Sequence, residues 1–162
     1  MTGVAAPGAS DGRERIPIAA DHAGFAMKEQ LKRELDNLGY EPVDLGARSE
    51  EASDYPEFAH AVAEQVSKGE ARRGVLLCGS GIGMDIAANR HPGVRAALVW
   101  EPAIAELSRK HNDSNILVLP SRFMSADDAA AALKSWLETE FEGGRHQRRV
   151  EKIETGPEAA AK

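Results

Sequence analysis

Five apolar runs of strand length, each followed by a stretch with helical spacing, constrain this chain more than any other feature. The runs are Arg15 to Ala20, Glu41 to Gly46, Gly74 to Cys78, Val94 to Trp100 and Asn115 to Pro120. They are continuously apolar rather than cleanly alternating, as strands buried on both faces of a parallel sheet must be. Between the first two, Met27, Leu31, Leu35 and Leu38 recur on one helical face, and Gly39 stands where a C-terminal glycine belongs. Tyr55 to Lys68 carries Phe58, Val62 and Val66 on one face, with Gly69 ending it. Asp85 to Asn89, Glu101 to Lys110 and Ser125 to Glu142 fill the later gaps, the last opening on a capping Ser125 with Asp127 and Asp128 behind it. Repeated strand–helix units predict an α/β fold, a three-layer α/β/α sandwich with a Rossmann-like, doubly wound sheet of about five parallel strands.

The 162 residues fit one domain. Residues 1–14 and 156–162 are small, polar and aperiodic, so they are expected to be disordered tails around a single domain at 15–155. A net charge of −6 argues against a nucleic-acid partner, which needs a basic face. No apolar run reaches the roughly 18 residues of a membrane span, and no signal peptide is visible. One cysteine precludes an intrachain disulfide and fits a reducing compartment, so a cytoplasmic protein is expected.

Doubly wound sheets bind ligands beyond the carboxyl ends of their strands. The first run ends there in Asp21 and His22, which serve either as helix cap and solvated loop residue or as ligand contacts. The third ends in Cys78, then Gly79-Ser80-Gly81-Ile82-Gly83, three glycines in five positions that let backbone N–H groups approach an anion. Two familiar uses of such a turn fail on spacing. A dinucleotide fingerprint needs Gly or Ala at Met84 or Ile86, and a cysteine-phosphatase loop needs Arg at Met84. Cys78 is therefore either a small buried hydrophobe or a thiol in a setting that favours the thiolate. His111 and Asn112 end a helix before the fifth run. The imidazole suits acid–base work near neutral pH, or merely faces a helix C-terminus. Arg122 follows the fifth run at the ligand edge. Arg145 and Arg149, spaced i, i+4 with His146 between them, form either a solvated basic stripe or a phosphate grip. No His, Cys or Glu group shows metal-ligand spacing, and His60 and His91 fall away from the strand ends, so chemistry here is expected to move protons without a metal.

Taken together, Ala20 to Gly24, Ser53 to Ala59, Cys78 to Arg90, Ser108 to Asn115 and Glu142 to Val150 resemble the ribose-5-phosphate isomerase B family, which includes allose- and galactose-6-phosphate isomerases. The likeness runs from Ile16 to Ile153. It implies an aldose–ketose isomerase that interconverts ribose 5-phosphate and ribulose 5-phosphate through a cis-enediolate, with no cofactor. By this resemblance Cys78 is the proton-abstracting base and His111 opens the sugar ring. Asp21, His22, Tyr55 and Asn112 contact the sugar, and Gly79, Ser80, Gly81, Ile82 and Gly83 form the anion hole. Arg122, Arg145 and Arg149 hold the phosphate, with His146 beside them. A family branch with a glutamate base carries it at the position of Met84 and lacks the cysteine, so this chain is of the cysteine-base type. Family sites are shared between two subunits, which implies at least a homodimer and leaves tetramers open. Another phosphorylated hexose or tetrose is the alternative substrate. A non-catalytic nucleotide- or phosphate-binding module is the alternative from another class.

Overall fold

The computed structural model describes residues 11–156. Its elements are β1 (Arg15–Ala20), a 3-10 turn (His22–Gly24), α1 (Phe25–Asn37), β2 (Glu41–Asp44), α2 (Tyr55–Ser67), β3 (Gly74–Cys78), α3 (Ile82–Ala88), β4 (Ala96–Leu98), α4 (Pro102–Asn112), β5 (Ile116–Pro120), α5 (Ala126–Glu138) and α6 (Arg145–Thr155). All four strand pairings are parallel, in the order β2-β1-β3-β5-β4. The chain steps from β1 out to β2, then returns past β1 to β3. That reversal makes the carboxyl ends of β1 and β3 the crevice where such a sheet accepts a ligand.

Side-chain alternation along the strands builds the two core layers. Ile16, Ile18, Val75, Leu77, Leu117 and Leu119 pack with Leu31 and Leu35 of α1, Ala105 of α4 and Leu133 and Trp136 of α5. Ala19, Leu76, Cys78, Ile116 and Val118 face the other way, onto Ala59 and Val62 of α2 and Met84 and Ala88 of α3. The result is the expected three-layer α/β/α sandwich. Trp136 is fully buried and its indole N–H donates to Ser114 Oγ at 2.8 Å, which satisfies the polar end of a large core residue.

Several boundaries differ from the sequence expectation, each for a local reason. β4 is three residues rather than seven, because the Arg95 N–H is taken by Asn115 Oδ1 at 2.7 Å before the ladder begins. β2 stops at Asp44, whose carboxylate turns back to accept from the Gly46 N–H at 2.9 Å. α5 ends at Glu138 because Thr139 is extended, and Ser125 caps its start by accepting from the Asp128 N–H at 3.1 Å. At the amino end, Arg13 binds Asp36 and the Tyr40 carbonyl, and Glu14 pairs with the buried Arg73, so residues 11–14 are tied to the body. The tail expectation for 1–10 and 157–162 lies outside the described residues. Among those described, no helix is long and apolar enough to cross a membrane.

Candidate active site

The turn after β1 is fastened before it is functional. Asp21 is buried, and its Oδ1 accepts from the Ala23 and Gly24 N–H groups at 3.0 and 3.2 Å, so the capping reading holds for that oxygen. Its own N–H donates to the Leu77 carbonyl, tying the turn to β3. His22 is held from both sides by one residue: its N–H donates to Ser53 Oγ at 3.1 Å, and the Ser53 N–H donates to His22 Nδ1 at 3.2 Å. With Nδ1 accepting, the ring proton of the neutral imidazole sits on Nε2. Ser53, which opens the Ser53 to Ala59 segment, is thereby brought into the site although no role was expected of it.

Cys78 ends β3 on the α2/α3 side and is 5% exposed. The Gly81 N–H donates to its Sγ at 3.2 Å, which stabilises negative charge on sulfur. Gly81 reaches that geometry with φ +76°, and a Cβ there would lie 2.4 Å from Leu98 Cδ1. Loop amides after β5 close the turn from the other side. The Ser121 N–H donates to the Cys78 carbonyl at 2.9 Å and the Arg122 N–H to that of Gly79 at 3.0 Å. The Arg122 side chain then lies over Gly79, and the Tyr55 ring covers Gly83, where a Cβ would meet ring carbons at 2.5 Å. These groups line a cleft of about 570 Å³, together with Asp21, His22, Ser80, Ile82, Ile86 and Phe123. Gly81 itself is buried and does not line the cleft. Phe123 is 74% exposed and Ile82, Ile86 and Tyr55 are also exposed, giving the cleft an apolar rim. Ile86, inside the Cys78 to Arg90 segment, and Phe123, beside Arg122, had no contact assigned from the sequence and are placed at the site by the cleft. One turn along α3, Asp85 has a buried Oδ1 with no hydrogen-bond partner, and burial pushes its pKa up to about 6.

The remaining expected residues are elsewhere. α4 leaves the carboxyl edge at Pro102 and runs to the opposite edge, where Asp113, at φ 47°, turns the chain into β5. His111 and Asn112 are therefore separated from Cys78 by at least the length of β5, about 13 Å at ~3.3 Å per residue. α6 packs on α4, and His146 stacks on His111 with centroids 4.3 Å apart and planes 14° apart. Arg145 and Arg149 are exposed and form no ion pair among the described residues. Donor atoms of His111, Glu142 and His146 lie within 4.8 Å of one another, a grouping drawn from two helices and a loop that sequence spacing did not reveal. The near-parallel rings send their in-plane lone pairs side by side, which makes a stack rather than a convergent chelate. His60 and His91 form an exposed pair, Nδ1 to Nε2 2.7 Å, between α2 and the loop after α3.

One chain thus gathers Asp21, His22, Tyr55, Cys78, the glycine turn and Arg122 in one cleft. It holds His111, Asn112, Arg145, His146 and Arg149 as a second group at the far end. Residues 16–153 match the family model described as Ribose/Galactose Isomerase. Ribose-5-phosphate isomerase B of Escherichia coli K12 is 44% identical over 140 residues, covering 86% of this chain and 94% of that protein. The crystal structure of a ribose 5-phosphate isomerase from Thermotoga maritima superposes with TM-score 0.85 and 48% identity, covering 88% of this chain and 99% of that one. Ribose-5-phosphate isomerase B from Mycoplasma genitalium, solved with bound ribulose-5-phosphate, gives TM-score 0.84 and 40% identity, covering 87% and 94%.

Proposed function

This chain belongs to the Ribose/Galactose Isomerase family, and from that premise we propose that it interconverts ribose 5-phosphate and ribulose 5-phosphate at a site built from two copies of itself. The observation that carries the reading is Cys78 at the switch point of the sheet, its sulfur facing an N–H of a glycine turn inside a cleft. In the closed sugar, His111 takes the anomeric hydroxyl proton and returns one to the ring oxygen, so the C1–O4 bond breaks to an aldehyde. The Cys78 thiolate takes the C2 proton, and the electron pair moves through C1=C2 onto O1. Turn amides hold that oxyanion, each donor being worth ~3–4 kcal/mol in such sites. A proton passes from O2 to O1, Cys78 returns its proton to C1, and the ketose results. Asp21, His22, Tyr55 and Asn112 orient the hydroxyls. Arg122, Arg145 and Arg149 bind the remote phosphate, whose binding energy is available to orient C1 and C2.

A second copy supplies the missing half. The far-end group on α4 and α6 is remote from the cleft of its own chain, and the exposed apolar rim of Tyr55, Ile82, Ile86 and Phe123 suits a covered surface. A homodimer with two shared sites follows. The single cysteine supports a reducing, cytoplasmic setting.

Two experiments test this. Ribose 5-phosphate, allose 6-phosphate, galactose 6-phosphate and a tetrose phosphate are assayed for aldose–ketose conversion, and ribose 5-phosphate is expected to give the highest kcat/KM. Conversion of none of them would remove the reading, and a hexose preferred by about tenfold or more would reassign the substrate. Separately, inactive Cys78→Ala and His111→Ala subunits are mixed under exchange. Random pairing restores about a quarter of wild-type activity if sites are shared. No recovery among demonstrably mixed dimers would contradict sharing.

A further inference from the structure

His146 opens α6 beside Arg145, yet it does not present itself as an anion ligand. It is 5% exposed, while Arg145 and Arg149 on the same helix are exposed. Its ring lies parallel to that of His111, 4.3 Å away. Arg145 Nε approaches His146 Nε2 at 3.5 Å, and Glu142 Oε2 lies 3.7 Å from the same nitrogen. Burial, then the positive charges of His111 and Arg145, holds the His146 pKa below the ordinary imidazole value; Arg149 adds to this and Glu142 opposes it. A neutral imidazole is a weak phosphate ligand beside two guanidinium groups. It is a good shelf for a second imidazole, because two stacked imidazolium rings repel.

We propose that His146 is a positioning residue, a stacked ring that fixes the plane in which His111 exchanges protons with the sugar ring. This rests on the reading of His111 as the ring-opening group. Without the shelf, the His111 ring is free to turn about χ2, and a displacement of about 1 Å at a reacting group can cost ~100-fold.

The substrates themselves separate this role from phosphate binding. Ribulose 5-phosphate carries its phosphate on O5, so it cannot close a furanose and meets the enzyme as an open chain. Exchange of its C1 hydrogen with D2O, followed by NMR, needs the enediolate chemistry but no ring opening. His146→Ala is expected to lower kcat on ribose 5-phosphate about tenfold or more, with KM within ~2-fold and C1 exchange within ~3-fold of wild type. His146→Phe, which keeps a flat ring, recovers most of the lost turnover. A raised KM with unchanged kcat would make His146 a phosphate ligand instead. Equal losses in both reactions would make it general scaffolding, and no loss would remove the role. The underlying reading has its own controls: His111→Ala must show the same split, and Cys78→Ala must lose both reactions.

Discussion

Replacing Gly81 with alanine challenges the fold and the chemistry through one methyl group. Gly81 has φ +76°, and its new Cβ would stand 2.4 Å from Leu98 Cδ1. A left-handed conformation costs a non-glycine residue ~1–2 kcal/mol, and forcing an extra carbon into a packed site ~1–3 kcal/mol. Together these destabilise the protein by roughly 2–5 kcal/mol, which for a chain of this length lowers Tm by ~5–15 °C. The tip of the half-buried Leu98 can yield part of the clash, and turning the peptide relieves the remaining strain, which withdraws the N–H now 3.2 Å from Cys78 Sγ. Loss of that donor, a hydrogen bond to a charged sulfur, costs ~10–100-fold in kcat. Thermal denaturation and steady-state kinetics on Gly81→Ala read the two effects separately. Leu98→Ala in the same chain removes the clash but not the φ penalty, so the double variant recovers stability by ~1–3 kcal/mol through coupling without recovering kcat. A Gly81→Ala protein with wild-type kcat would refute the argument that this turn aims its N–H at a catalytic sulfur.

Arg149→Ala is expected to raise KM for the phosphorylated sugar ~10–100-fold, the loss of a charged hydrogen bond, with kcat nearly kept; initial-rate kinetics decide it. Asp44 accepts from the fully buried Lys28 at 2.7 Å and from Lys32 at 2.8 Å. Burial opposes its ionisation, but these lysines outweigh it and hold the carboxyl at about 2. The stabilisation is therefore present above pH ~4 and lost as pH falls toward 2, so Asp44→Asn should cost ~1–2 kcal/mol at pH 7 after allowing for solvent screening, and little near pH 2, by chemical denaturation. Asp85 has the opposite sign. Its raised value of about 6 means that stability is lost as pH rises from 4 toward 6, so Asp85→Asn should raise Tm by ~2–4 °C at pH 7.5 and not at pH 4.

The layers were legible because strand and helix periods differ and buried parallel strands must be apolar on both faces. The edge strand β4 was overread, since Val94 to Trp100 is apolar enough to pass for a full strand. Only the Asn115 side chain capturing the Arg95 N–H shows why its ladder starts late. Cys78 and the glycine turn were legible as a site because both fall at a strand end, which sequence order alone reveals. Ser53 was not, because its partner His22 is 31 positions away and the pairing forms only when two loops meet. The His111–His146 stack was hidden for the same reason, whereas the separation of His111 from Cys78 was implicit in the parallel strand order. Sequence order gives the strand ends, and in an all-parallel sheet it also puts the end of α4 at the amino edge; it does not give which side chains of α4 and α6 meet there.

On the proposed mechanism the Cys78 thiolate moves the C2 proton of a pentose 5-phosphate. Its most direct test is the initial rate of ribulose 5-phosphate formation from ribose 5-phosphate by Cys78→Ala, with substrate binding followed in parallel by calorimetry. The expected rate is reduced by about 10³-fold or more, with sugar phosphate still bound. Turnover near the wild-type rate would contradict it.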